Sequence, residues 1–206
     1  MIKDKIIAEK KVLIKEFMMI ALMKQEKKTI HPLKFVMYIA CASIVMIFAG
    51  LSSAYIVKRN QANWLTYDIP GIFYYSTAVI IFSSITLILA RKYFLSRQMR
   101  KYKSWLFASA VLGVTFVLLQ YFGFKEFWNN GFTLTRNVAF SFLYVIVGVH
   151  ALHVLGGVTA LIIMYIKSFS RSHKNYDAIY IDLMNTYWHF VDLLWIYLLV
   201  FFIIIR

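Results

Sequence analysis

Five stretches of the chain stay apolar long enough to cross about 30 Å of hydrocarbon, which takes roughly 20 helical residues. They lie at about 33–57, 69–91, 104–124, 137–166 and 178–204. The breaks between them are short, polar and charged: KRNQANW, RKYFLSRQMRKYK, KEFWNNGFTLTR and KSFSRSHKNYD. No repeat or long linker interrupts the series. The pattern predicts an all-α, polytopic membrane protein of five transmembrane helices, with a basic segment at 1–32 and one membrane domain over 33–206.

Composition agrees with that pattern. The 206 residues are 61% apolar and 18% aromatic, with a mean hydropathy of +0.68. Only 16% are charged, against about 25% in ordinary soluble domains. The single Cys41 cannot form an internal disulfide, and nothing reads as a zinc or iron–sulfur site.

A formal net charge of +14 has two explanations, nucleic acid or the Lys/Arg excess that orients membrane helices. Location decides between them. With the N-terminus in the cytoplasm, nine Lys in 1–34, six Lys/Arg in 91–103 and three in 167–177 fall inside, 18 of the 23. Only Lys58, Arg59, Lys125, Arg136 and Arg206 fall outside. The expected topology is therefore N-in, C-out, which accounts for the basic charge with no nucleic-acid partner expected.

Residues 1–28 interleave Lys and Glu with apolar positions and lack a small-residue cleavage site, so they read as a peripheral amphipathic helix or tail, not a signal peptide. Small residues four apart, Gly50/Ala54, Ser109/Gly113 and Gly156/Ala160, suit close helix packing. Trp64, Tyr67, Tyr102, Trp105, Trp128 and Tyr180, near span ends, suit an interfacial belt.

Ionisable groups within the spans are few, and each costs at least about 2.5–3.5 kcal/mol near the bilayer centre. Span four carries His150 and His153; span five carries His189 and Asp192, with Asp182 seven residues before His189. Residues three apart share a helix face. Counting about 1.5 Å per residue puts all four central groups within one turn of the midplane. Four readings are open on these residues alone: a hydrogen-bonded structural network, a proton path inward from Asp182, a haem held by one histidine from each span, and a non-haem iron or copper site. The last lacks the extra carboxylates that helical-bundle metal sites use. A transporter would want broken helices, which two prolines near span starts do not supply.

The motifs themselves carry a resemblance. YWHFVDLLWIYL at 187–198 resembles the terminal-helix signature of subunit III of the haem–copper oxidases, and HALHVLGG at 150–157 resembles the preceding helix's HGLHV-x-x-G. Weaker similarity runs through FTLTRNVAF at 132–140, LLQYFGF at 118–124 and residues 70–86, so that it spans about 33–206. The chain resembles the short, five-helix bacterial form of that family. It departs from the family pattern at Ile44, Gly123 and Arg136, where the family carries acids, and Asp182 stands where Glu is usual.

The resemblance implies a non-redox subunit of a proton-pumping terminal oxidase in a bacterial inner membrane. The donor is expected to be cytochrome c, with a quinol oxidase subunit or a free-standing haem or metal protein as the alternatives. Haem and copper would belong to partner subunits. The partners would be subunit I above all, then subunit II and other respiratory subunits, with membrane phospholipid. It also implies no catalytic, cofactor or metal residue in this chain. His150, His153, His189 and Asp192 become a helix-locking polar network, with a cross-span contact expected from at least one of His150 and His153 to His189 or Asp192. Asp182 becomes a support for proton uptake on the cytoplasmic side.

Overall fold

The computed structural model describes residues 10, 11, 13–17, 31–59, 70–132, 138–169 and 178–205. All regular structure among them is α-helical. Five long helices are present: α1 Pro32–Arg59, α2 Ile72–Leu95, α3 Met99–Asn129, α4 Val138–Lys167 and α5 Ala178–Ile205. Each is long and apolar enough to cross a membrane, and the chain is a polytopic all-α membrane protein.

By contact the chain divides into a unit of residues 1–35 and one of residues 36–206. In the first, residues 10, 11 and 13–17 are helical and exposed. Most of the expected basic segment, together with Trp64, Tyr67 and Arg136, lies outside the described residues.

The helices outrun the apolar stretches that announce them. The third was expected over 104–124 and runs from Met99 to Asn129; the second continues past Arg91 and Lys92 to Leu95. A charged residue ends the passage through hydrocarbon without ending the backbone ladder, because long Lys and Arg side chains carry their heads out to water.

What stops these helices is local chemistry. After α3, Gly131 adopts φ 81°, Phe132 N–H donates to Phe127 O (3.2 Å) and Gly131 N–H to Trp128 O (3.0 Å). This is a Schellman cap, completed by the Phe127 and Phe132 rings at 5.1 Å. After α2 the same pair of bonds forms from Gln98 to Tyr93 and from Arg97 to Phe94. There Arg97, φ 59°, takes the position that glycine usually holds. Three residues thus suffice to turn α2 back into α3.

Within the larger unit, α2 packs along α3, α3 on α4, α4 on α5 and α5 on α2, a closed ring of four. Polar rungs tie α2 to α3: Gln120 Nε2 donates to Ser76 Oγ (2.9 Å), and Ser83 Oγ donates to the Ser109 carbonyl (3.3 Å). Helix α1 joins the ring through side chains. Its buried Phe48, Ser52 and Tyr55 follow helical spacing, with Phe48 edge-on to the His150 and His153 rings and Tyr55 edge-on to Phe201 and Phe202. Ser52 Oγ lies 3.0 Å from the Tyr197 hydroxyl. Large apolar residues such as Met46, Tyr75, Leu152 and Leu193 are exposed, as lipid-facing positions in a membrane protein should be.

Candidate functional site

Asp182, Asn185, His189 and Asp192 succeed one another at intervals of three or four along α5 and so form one stripe. Thr77, Ser84 and Arg91 are seven apart on α2, two turns each. The two helices run antiparallel, so the stripes meet rung by rung. At one end Arg91 Nε donates to Asp182 Oδ1 at 2.7 Å. At mid-helix Ser84 Oγ donates to Asp192 Oδ2 and lies 3.0 Å from His189 Nδ1. At the far end Trp195 Nε1 donates to Thr77 Oγ1 at 3.0 Å.

Hydrogen counting orients the middle rung. A serine hydroxyl has one hydrogen, and here it goes to Asp192. The Ser84 oxygen therefore accepts from His189 Nδ1–H, which leaves Nε2 of a neutral imidazole as an acceptor. That Nε2, Asp192 Oδ1 and Asn185 Oδ1 are buried without a protein partner.

The other half of the expected cluster lies elsewhere. His150 is 1% exposed, stacked on the Trp195 ring at 5.4 Å, and neither ring nitrogen has a hydrogen-bond partner. His153 Nδ1 bonds to Val149 O in its own helix (2.8 Å), and its carbonyl accepts from Tyr187 O–H (3.0 Å). Among the described residues, no hydrogen bond joins His150 or His153 to His189 or Asp192. Shared depth does not fix azimuth: the His189/Asp192 stripe turns toward α2, whereas α5 meets α4 through Tyr187 and Trp188.

Trp188 explains the glycine of the companion motif. It is fully buried, and its ring occupies a notch lined by Gly113 on α3 and Gly157 on α4. A Cβ at Gly113 would stand 2.9 Å from Trp188 Cη2, and one at Gly157 would stand 3.0 Å from Cζ3. Gly50 and Gly156, which belong to the expected close-packing pairs, have open space or an ordinary contact instead. Among the expected belt residues, Trp128 and Tyr180 are exposed, but Tyr102 is buried at 2% exposure against Phe94.

The sequence profile of cytochrome c oxidase subunit III matches residues 65–205. The chain belongs to that family. It is 25% identical over 158 residues to cytochrome c oxidase subunit 3 of Bacillus sp. strain PS3, covering 74% of this chain and 76% of the relative. The corresponding protein of Bacillus subtilis strain 168 is 27% identical over 159 residues, with the same coverages. The cytochrome bo(3) ubiquinol oxidase subunit 3 of Buchnera aphidicola is 29% identical over 124 residues, 59% of this chain and 63% of that one.

As a subunit III, the chain is a component of a haem–copper terminal oxidase. The profile match spans α2 to α5 and so takes in both sides of the polar seam, while α1 precedes it. Among the described residues, no group of three or more His, Cys, Asp or Glu is placed to hold a metal. Ser84 engages one atom each of His189 and Asp192, Nδ1 and Oδ2, while His150 lies against an indole. At Gly123 the neighbours leave no room for a side chain: a Cβ there would stand 2.8 Å from Ile72 and 3.0 Å from Phe73. Sequence reading did not single out Thr77, Ser84, Arg91 or Asn185 as site residues. The available signal was the seven-residue spacing of Thr77, Ser84 and Arg91, mirrored by Asp182 and His189.

Proposed function

We propose that this chain is the non-redox subunit III of a proton-pumping cytochrome c oxidase in a bacterial inner membrane, lying N-in, C-out beside subunit I and near subunit II. Its own task is to hold a rigid, correctly faced helix bundle against the catalytic subunit, which with its neighbour carries the haem and copper. The observation that carries this reading is the consumption of the terminal-helix motif in helix-to-helix bonds. His189, Asp192 and Trp195 each bond to α2, as locking requires. In hydrocarbon such bonds fix which faces meet, because the alternative is an unpaired polar group.

Orientation follows from the Lys/Arg distribution, and the N-in arrangement puts the Arg91–Asp182 pair at the cytoplasmic surface. There Asp182 stands where it can support proton uptake. His150 and His153 serve the locking role by packing, between Phe48, Trp195 and Tyr187, and not by bonding to His189 or Asp192. Membrane phospholipid fills the exposed apolar surface between helices.

Affinity purification from the native membrane followed by mass spectrometry tests the assignment. Subunits I and II should accompany the chain, with the haem spectrum following them and none remaining with the isolated chain. Stoichiometric haem or copper on the separated chain would sink it. Cytochrome c as donor is supported by the naming of the two Bacillus relatives, while the Buchnera relative keeps quinol as the competing donor. Oxygen uptake by the complex with reduced cytochrome c against ubiquinol distinguishes the two.

A further inference from the structure

The seam between α2 and α5 has a chemical imbalance that helix locking does not explain. On one stripe of α5, Asn185 Oδ1, His189 Nε2 and Asp192 Oδ1 are all buried and all without a partner. In the tautomer required by the Ser84 bonds, all three are acceptors. Asp192 itself is only 5% exposed. A buried acceptor without a donor is costly, and three on one seam are more than a native bundle leaves bare. Water is the small molecule that supplies hydrogens to several acceptors at once, and buried water in proteins sits at such groups.

The seam also has an open and a closed end. At the first, Arg91 and Asp182 stand near the ends of α2 and α5 and are 41% and 17% exposed, so this ionised pair begins the stripe close to the membrane surface, where long charged side chains reach water. Asn185, His189 and Asp192 then follow inward over about 15 Å from Asp182, at roughly 1.5 Å per residue. Beyond Asp192 the Trp195–Thr77 bond closes the seam, backed by the Phe73 and Phe116 rings at 6.0 and 5.5 Å from the indole. A route from water to mid-membrane that then stops is a store, not a channel.

We propose that the α2–α5 seam binds a short chain of water molecules that exchanges a proton between the Arg91–Asp182 end and Asp192 at mid-membrane. The proton arrives as protonated water and binds Asp192 Oδ1, whose other oxygen already accepts from Ser84. It leaves by the same route, and nothing is oxidised or reduced. The titratable groups on the elements around Asp192 are His189 on its own helix, Arg91 and Asp182 at the open end, and His150 on α4 behind the Trp195 ring. A dead-ended store of this kind holds a proton inside the subunit without leaking it across the membrane.

Infrared spectroscopy of the assembled oxidase in membranes provides the test. An Asp192-dependent carboxylic acid C=O band is expected, lost in Asp192→Asn and displaced in Asp192→Glu, which assigns the band should Asp192→Asn not assemble. Transfer to D2O should shift the wild-type band within the mixing time. Asn185→Leu, which places an apolar side chain of similar size in the seam, should slow that shift by about tenfold or more through loss of bridging water. No Asp192-dependent acid band at any pH in the neutral range, a band that stays unshifted in D2O, or exchange unaltered by Asn185→Leu would each overturn the proposal. The assay rests on the subunit III reading, and the two fail separately: with no co-purifying oxidase the assignment falls, whereas an assembled oxidase with a silent Asp192 ends only the water chain.

Discussion

Along α2, helix α5 is held by polar rungs; along α3 and α4 it is held by the shape of one tryptophan. The rungs at Asp182, Ser84–His189/Asp192 and Trp195–Thr77 are directional and few, so they specify azimuth and register. The Trp188 notch between Gly113 and Gly157 is a close fit that any wrong register would break. In lipid there is no hydrophobic gain on helix association, and packing must supply the bulk of the attraction. The two sides of α5 thus divide the work into specificity on one and density on the other, and each can be attacked alone.

The largest effect should come from the packed side. Trp188→Ala empties the notch and is expected to cost about 3–5 kcal/mol, the range for deleting a large buried aromatic, read as early thermal loss of intact oxidase in detergent. From the opposite direction, Gly157→Ala forces the indole to shift and should cost about 1–3 kcal/mol. Trp188→Phe in the same chain should recover part of that loss. If the two substitutions simply add, the notch is not what joins α4 to α5.

On the polar side, Asp192→Ala strips Ser84 of its acceptor and should cost about 1–3 kcal/mol. It should lower the yield and lifetime of the assembled oxidase while initial turnover per complex stays near wild type. A collapse of initial turnover with normal assembly would move Asp192 from locking to chemistry. Ser84→Ala removes the hydroxyl that joins His189 to Asp192 and should cost less, about 0.6–1.7 kcal/mol, as interhelical hydrogen bonds in membranes do. A larger loss for Ser84→Ala than for Trp188→Ala would invert the division drawn between the two sides.

The unequal legibility of these sides in the sequence has a physical cause. The five spans are visible because crossing hydrocarbon demands an unbroken apolar run, a one-dimensional requirement. Their ends are less so, since apolarity reports membrane thickness while the caps at Gly131 and Arg97 report backbone chemistry. Asp192 and His189 stand out because they are expensive at that depth. Their partner does not, because Ser84 is cheap in a helix and one of several such residues on α2. Depth arithmetic could not see that Trp195 fills the space beside His150. Gly157 is marked by its motif, yet its reason lies thirty-one positions on, at Trp188, a pairing that exists only in three dimensions.

The smallest structural effect belongs to the rung at the water boundary. Arg91 is 41% exposed, so solvent screens its pair with Asp182, and Arg91→Gln or Asp182→Asn should cost no more than about 1 kcal/mol. That modest cost makes the pair useful, because a functional effect there would not be hidden by loss of the bundle. If Asp182 supports proton uptake, Asp182→Asn should slow turnover at unchanged assembly, whereas Arg91→Gln, which keeps the carboxylate, should slow it less. Equal turnover in both variants and wild type would leave the rung a purely structural contact. Comparing oxygen uptake per haem with thermal half-life, variant by variant, separates these outcomes.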